Sequence, residues 1–273
     1  MDHPITVDSD ACTRCGICIE ICPMGIIAQD GPDDLPGLVP GGAAVCSRCG
    51  HCEAVCPAGA VSARYPACGP QHLPGGSAAI APADLAAYLR ARRTVRRYRE
   101  ECVDRETVEA LLDVVRFAPS GMNGQPVHWL VVHDPAEVRR LAGLAIAWMR
   151  EASRAGHPMA DLFGVLVRTW DAGVDQICRG APHLVIAHAD AKNPMAYTDS
   201  IIALTWLEVA APSFGLGTCW AGFFQMAASA SPALAEALGL PEGHAPQYAM
   251  ALGYPAYRFP RVPGREPVRV TWR

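Results

Sequence analysis

The sequence predicts an α+β protein in two parts: a small cysteine-laden unit, then a larger domain of helices around a sheet. Eight of the 12 cysteines fall in two tight groups before residue 57. Residues 66–82 are rich in Pro, Gly and Ser and have no amphipathic period, which marks a linker. Beyond Ala83, apolar residues recur at helical spacing and are interrupted by short β-branched runs. The expected division is 1–66, a linker at 67–82, and a second domain at 83–273.

The totals agree. A chain of 273 residues, 51% of them hydrophobic, is long enough for two cores. A formal net charge of −4 speaks against nucleic acid or an anionic membrane surface as the main partner. The longest apolar helical run, 201–207, is broken by Glu208 and followed by Pro212 and Gly215, too short to span a bilayer. The start Met1-Asp2-His3-Pro4 lacks the basic residues and apolar core of a signal peptide, so the expected location is cytoplasmic, with no membrane partner. In a reducing compartment, clustered cysteines hold metal or do redox chemistry more often than they form disulfides.

In order along the second domain, 84–93 reads as a helix. So does 104–117, where Val108, Leu111, Leu112 and Val115 share one face and Pro119 ends the run. Residues 129–132 read as a strand, 135–149 as a helix, and 150–180 as a helical excursion covering something. A buried strand at 183–188, an apolar helix at 200–211, a short helix at 232–238 and a strand at 247–253 complete the series. The tail after Pro255 is irregular.

The cysteine groups form an internal repeat. Cys12-Thr-Arg-Cys15-Gly-Ile-Cys18-Ile-Glu-Ile-Cys22-Pro23 is echoed by Cys46-Ser-Arg-Cys49-Gly-His-Cys52-Glu-Ala-Val-Cys56-Pro57. Zinc ribbons are the alternative, but they use paired C-x2-C elements, one pair per half-site, and fit a run of four ending in Pro poorly. The twice-repeated C-x2-C-x2-C-x3-C-P resembles bacterial two-cluster ferredoxins. In that pattern the first three cysteines wrap one cube and the fourth ligates the other. The resemblance implies one [4Fe–4S] cluster on Cys12, Cys15, Cys18 and Cys56, and a second on Cys46, Cys49, Cys52 and Cys22. The Pro- and Gly-rich connector between Cys22 and Cys46 departs from a minimal repeat and bears on cluster exposure, hence on potential.

The second domain carries three separated signals. Arg92-Arg93-Thr94-Val95-Arg96-Arg97-Tyr98 is either a solvated basic helix end or a phosphate cradle. Pro119-Ser120-Gly121-Met122-Asn123-Gly124-Gln125-Pro126 alone is a polar turn. Gly215-Leu216-Gly217-Thr218-Cys219-Trp220-Ala221-Gly222 alone is a C-cap glycine beside a buried aromatic. Their order and spacing resemble the nitroreductase family of FMN flavoproteins. That resemblance implies an α+β flavin domain in a domain-interlocked homodimer. Arg92, Arg93, Thr94 and Arg96 would meet the FMN phosphate and pyrimidine edge. Pro119, Ser120, Gly121, Asn123 and Gln125 would reach the flavin of the partner subunit. Cys219, Trp220, Ala221 and Gly222 would lie along the flavin, the last three near the reacting N5, and Arg258 or Arg261 would add a phosphate contact. Val127 stands where many members have Trp, and the excursion at 150–180 lies where the family varies its lid, which leaves the substrate open.

His128, His183 and His188 flank apolar strands and read as core or edge histidines, and Cys219 as a small buried hydrophobe. No G-x-G-x-x-G follows a strand, so no separate NAD-binding fold is expected. The implied activity is an FMN-dependent oxidoreductase. Electrons would pass through the clusters to FMN and on to a small-molecule acceptor, nitro-aromatic or activated and unsaturated, with an external ferredoxin or NAD(P)H as donor and the route taken from NAD(P)H left open. The alternative is an electron-transfer subunit with no organic substrate.

Overall fold

The computed structural model describes residues 4–63 and 79–273. Most of the expected linker, with Cys68, lies outside the described residues. The chain divides into two compact units. The first holds residues up to Ile80 together with Met122–Gly124, and the second holds Ala81–Gly121 and Gln125–Arg273.

In the first unit the internal repeat is visible in the backbone. Strand β1 (Ile5–Val7), helix α1 (Ile17–Glu20), strands β2 (Ile27–Ala28) and β3 (Gly37–Leu38), helices α2 (Gly42–Val45) and α3 (His51–Ala54) and strand β4 (Val61–Ala63) follow one another. β1 pairs antiparallel with β4, and β2 with β3. Arg14, Gly16 and Gly25 take left-handed backbone at φ 58°, 75° and 60°. Their counterparts Arg48, Gly50 and Gly59 do so at 50°, 73° and 62°. A left-handed arginine is uncommon, and its recurrence at the same step marks a turn that both copies require. Ile5, Ile26, Ile27, Val61 and Ala63 pack with Cys18 and Cys52 into a small core.

The second unit is a four-stranded antiparallel sheet between two layers of helices. Its strands are β5 (His128–Val132), β6 (His183–Asp190), β7 (Gly217–Trp220) and β8 (His244–Gly253), ordered β5-β6-β8-β7. Successive strand residues face opposite sides, so Leu184 and Ile186 enter one core and Val185 and Ala187 the other. Helices α6 (Pro135–Arg154), α7 (Ala160–Asp171), α9 (Gly222–Ala230) and α10 (Pro232–Ala237) cover the first face. Helices α5 (Arg105–Val115) and α8 (Ala196–Ala210) cover the second. The expected helical excursion at 150–180 is the end of α6 plus α7. Its Phe163 and Leu166 are buried core residues.

Local chemistry sets the ends. Asp134 caps α6 by accepting the Ala136 N–H at 3.0 Å, with Pro135 at the first helical position. Ser231 caps α10 in the same way. Helix α4 (Pro82–Ala91) stops before Arg92 rather than running to 93, so the arginine segment leaves the helix as extended chain. Among the described residues no helix is long and apolar enough to cross a membrane.

Candidate functional site

In the first unit the cysteines sort into two groups that cross the repeat. Cys18 lies within electrostatic reach of Cys12, Cys15 and Cys56, and Cys52 within reach of Cys49 and Cys22. Cys22, Cys46, Cys49 and Cys52 line one cavity together. Burial pushes the Cys18 and Cys52 thiols up. Backbone amides already point at sulfur: Arg48 N–H donates to Cys46 Sγ at 3.4 Å and Ala60 N–H to Cys56 Sγ at 3.3 Å. Burial also raises Cys56, but the N–H groups of residues 58–61 outweigh it, so this thiol ends below its ordinary value. Four thiols around a common cavity, with amide donors aimed at sulfur, fit a polynuclear iron–sulfur group. Amide hydrogen bonds to sulfur are one of the means by which a protein tunes such a group.

In the second unit the arginine segment, the glycine-rich strand and the tail come together. Val95 N–H donates to Thr218 O at 2.8 Å, Arg99 N–H to Tyr254 O at 2.9 Å, and Ala256 N–H to Arg97 O at 3.0 Å. Tyr98 bridges to Pro255, and its hydroxyl donates to Val95 O at 2.9 Å. The closeness depends on Gly217, where a Cβ would stand 2.3 Å from Val95 Cγ2 and 3.0 Å from Pro255 Cγ. Gly215, at φ 74°, caps the 3-10 turn that precedes β7.

A cavity of about 540 Å³ opens there, lined by Tyr88, Arg92, Arg93, Glu208, Thr218 and Arg258 among others. Two Arg93 N–H groups donate to the carbonyls of Arg92 and Arg90, while its buried Nε has no acceptor among the described residues. An unsatisfied guanidinium N–H beside other arginines fits an anionic group such as a phosphate. The Arg92 guanidinium meets Glu208 Oε1 at 2.7 Å, and Trp220 Nε1–H donates to Glu208 Oε2 at 3.0 Å. The Trp220 ring meets Tyr248 edge-on at 5.1 Å, and the Ala221 N–H donates to Ala249 O at 2.9 Å.

The other expected residues lie elsewhere. Thr94, Arg96, Cys219, Trp220, Ala221, Gly222 and Arg261 are not part of this cavity's lining, Trp220 being tied to it through Glu208. Arg96 and Arg179 lie close enough to Cys219 for their charges to act on it. Burial raises that thiol, and the two cations oppose the rise. The turn carrying Arg179 wraps the Asp175 carboxylate, which accepts the N–H groups of Ile177, Cys178 and Gly180. The Pro119–Pro126 segment is also outside the cavity. Gly121 N–H donates to buried Asp199 at 3.0 Å, Gln125 N–H to Ser120 Oγ at 3.0 Å, and Met122 and Asn123 take φ 52° and 53°. Sequence reasoning missed Glu208, Arg179, Tyr248 and Asp199. Only Glu208 left a signal, a lone charge interrupting an apolar helix.

The histidines are structural. His183 is fully buried: its Nε2 accepts the Val103 N–H at 2.8 Å, and its Nδ1 pairs with His133 O at 2.8 Å. His188 is buried against His244, with the exposed His128 ring nearby.

These features define an oxidoreductase built from a cysteine-bound iron–sulfur unit and an α+β domain with an arginine-lined cavity at one edge of its sheet. The chain belongs to the nitroreductase family, whose model matches residues 89–254, and residues 11–61 match the model of a 4Fe-4S dicluster domain. It is 33% identical over 178 residues to an NADH dehydrogenase of Thermus thermophilus, covering 60% of this chain and 83% of that one. It is 28% identical over 184 residues to a Bacillus subtilis FMN reductase [NAD(P)H], covering 63% of this chain and 66% of the relative. In fold it resembles a nitroreductase with bound FMN from Desulfitobacterium hafniense. That match has a TM-score of 0.57 and 22% identity, over 69% of this chain and 98% of that one.

Proposed function

We propose that the protein accepts electrons singly at two [4Fe–4S] clusters and delivers them in pairs, through FMN, to a small electron-poor acceptor such as a nitro-aromatic or an activated unsaturated compound. The observation that carries this reading is that one chain holds both parts: two crossed cysteine groups and an arginine-lined cavity beside the glycine-rich strand.

Cys12, Cys15, Cys18 and Cys56 would hold one cluster, and Cys46, Cys49, Cys52 and Cys22 the other. Arg93 and Arg258 would hold the FMN phosphate, while Trp220, Ala221 and Gly222 would form one wall along the ring, with a backbone amide near N5. When bound, FMN supplies the exchange between one-electron donors and two-electron acceptors. The chain binds, orients and shields, and its fusion keeps the one-electron module at high local concentration. The names of the relatives support NAD(P)H as an alternative donor to an external ferredoxin. A homodimer would bring Ser120, Asn123 and Gln125 of the partner subunit to the flavin. The exposed Phe117, Trp206, Val268, Val270 and Trp272 support burial against a second copy.

The test is anaerobic rapid mixing with a reduced one-electron donor, followed by a nitro-aromatic. Loss of the flavin's visible absorbance, then its return with consumption of the acceptor, is expected. A Cys15→Ser, Cys49→Ser protein should lose the first step and keep its flavin. Bleaching that no acceptor reverses would favour an electron-transfer subunit, and undiminished bleaching in the double variant would remove the clusters from the path.

A further inference from the structure

Glu208 lies in the last turn of α8, directly after a stretch, Ile201 to Leu207, that is apolar apart from Thr205. Its side chain is only 12% exposed, and both carboxylate oxygens are engaged, one by Arg92 at 2.7 Å and the other by the Trp220 indole N–H at 3.0 Å. Those partners come from two different sequence signals, the arginine segment and the glycine-rich strand. The helix is fixed beside them, because Tyr88 on α4 donates its hydroxyl to Val209 O at 2.6 Å. A carboxylate in so little water, holding two donors, is costly to leave half satisfied.

We propose that Glu208 is a positioning residue that clamps Arg92 to Trp220, fixing the indole against Tyr248 as one wall of the cofactor site. Two consequences follow. Arg92 has its charge met within the protein, so the cofactor phosphate relies on Arg93 and Arg258. The indole cannot turn its N–H toward a ligand, so Trp220 presents ring surface and not a hydrogen-bond donor. Only the consequence for the cofactor rests on the flavin reading; the clamp itself is a property of the chain.

The test uses the full-length protein, first stripped of flavin and then loaded, with its tryptophans labelled with 15N. Trp220→Phe identifies the Trp220 indole resonance. In Glu208→Gln one of the two acceptor oxygens becomes an NH2, and with the oxygen kept by the Arg92 cation the NH2 faces the indole N–H. The Trp220 indole N–H should then exchange with solvent at least about tenfold faster and shift its resonance, in the flavin-free protein as well as the loaded one. Thermal midpoints of Glu208→Gln, Trp220→Phe and the double variant should be non-additive, with the second substitution costing much less than the first. In loaded protein Glu208→Gln should shift the flavin midpoint potential, whereas Glu106→Gln, an exposed carboxylate in the first turn of α5, should not. An unmoved indole resonance with additive midpoints would overturn the clamp. A protein that takes up no FMN while the indole responds as stated would retire the flavin reading and leave the clamp standing.

Discussion

At the scale of single residues, the sharpest expectation concerns Cys22. Its neighbours in sequence are Cys18 and Cys15, but it lines a cavity with Cys46, Cys49 and Cys52. Cys22→Ala should therefore damage the second group and spare the first. Iron analysis and electron paramagnetic resonance of reduced protein should show one cluster signal retained, with its partner lost or converted to a three-iron form. Loss of the cluster held by Cys12, Cys15 and Cys18 instead would mean that the groups do not cross. Buried His188 gives a pH expectation. Burial, then the neighbouring His244 and His128, push its pKa from 6.5 down to about 4. The unfolded chain therefore binds this proton more readily than the folded one. The associated stability is complete above about pH 6.5 and drains away as pH falls toward 4, amounting to at most about 3 kcal/mol. His188→Gln should narrow its stability gap to the native protein as the pH is lowered from 7 to 5, read as the difference in melting temperature. A constant gap would show that the imidazole does not titrate as its burial implies. The cluster cysteines were legible because their spacing is local. Glu208 and Asp199 were not, because their partners are distant in sequence and only the fold brings them together.

At the scale of elements, the arginine segment owes its position to a strand that sequence reading did not recognise. Residues 217–220 were legible as a glycine-rich turn, but they form β7 at the sheet edge, paired with β8 and followed by the equally unforeseen α9. Four residues of mixed character give no period, and the strand exists because Met250, Ala251 and Leu252 are there to pair with it. Gly217→Ala should force its new Cβ into Val95, cost about 1–3 kcal/mol and detach the arginine segment. Flavin content on purification should fall more than overall stability. Unchanged flavin content would mean that the segment is held in some other way. The central strands and α8 were readable for the opposite reason, since all carry near-continuous apolar runs, with β6 buried on both faces and α8 on one.

At the scale of the whole chain, two units of different chemistry were legible from composition alone, because cysteine repeats and helical periodicity do not overlap. The helices around a sheet appear as expected, with a fourth strand added. The Pro119–Pro126 segment belongs to this larger scale. Met122, Asn123 and Gln125 all take left-handed backbone, and a role at a partner's flavin would account for so sharp a turn. Light scattering should find about two chains per particle, and a monomer that retained full flavin would contradict that role. The central claim, that one chain carries both redox modules, is tested most directly by measuring iron, acid-labile sulfide and FMN in anaerobically purified protein. About eight irons, about eight sulfides and about one FMN per chain are predicted. Iron without flavin, or flavin without iron after anaerobic reconstitution, would contradict it.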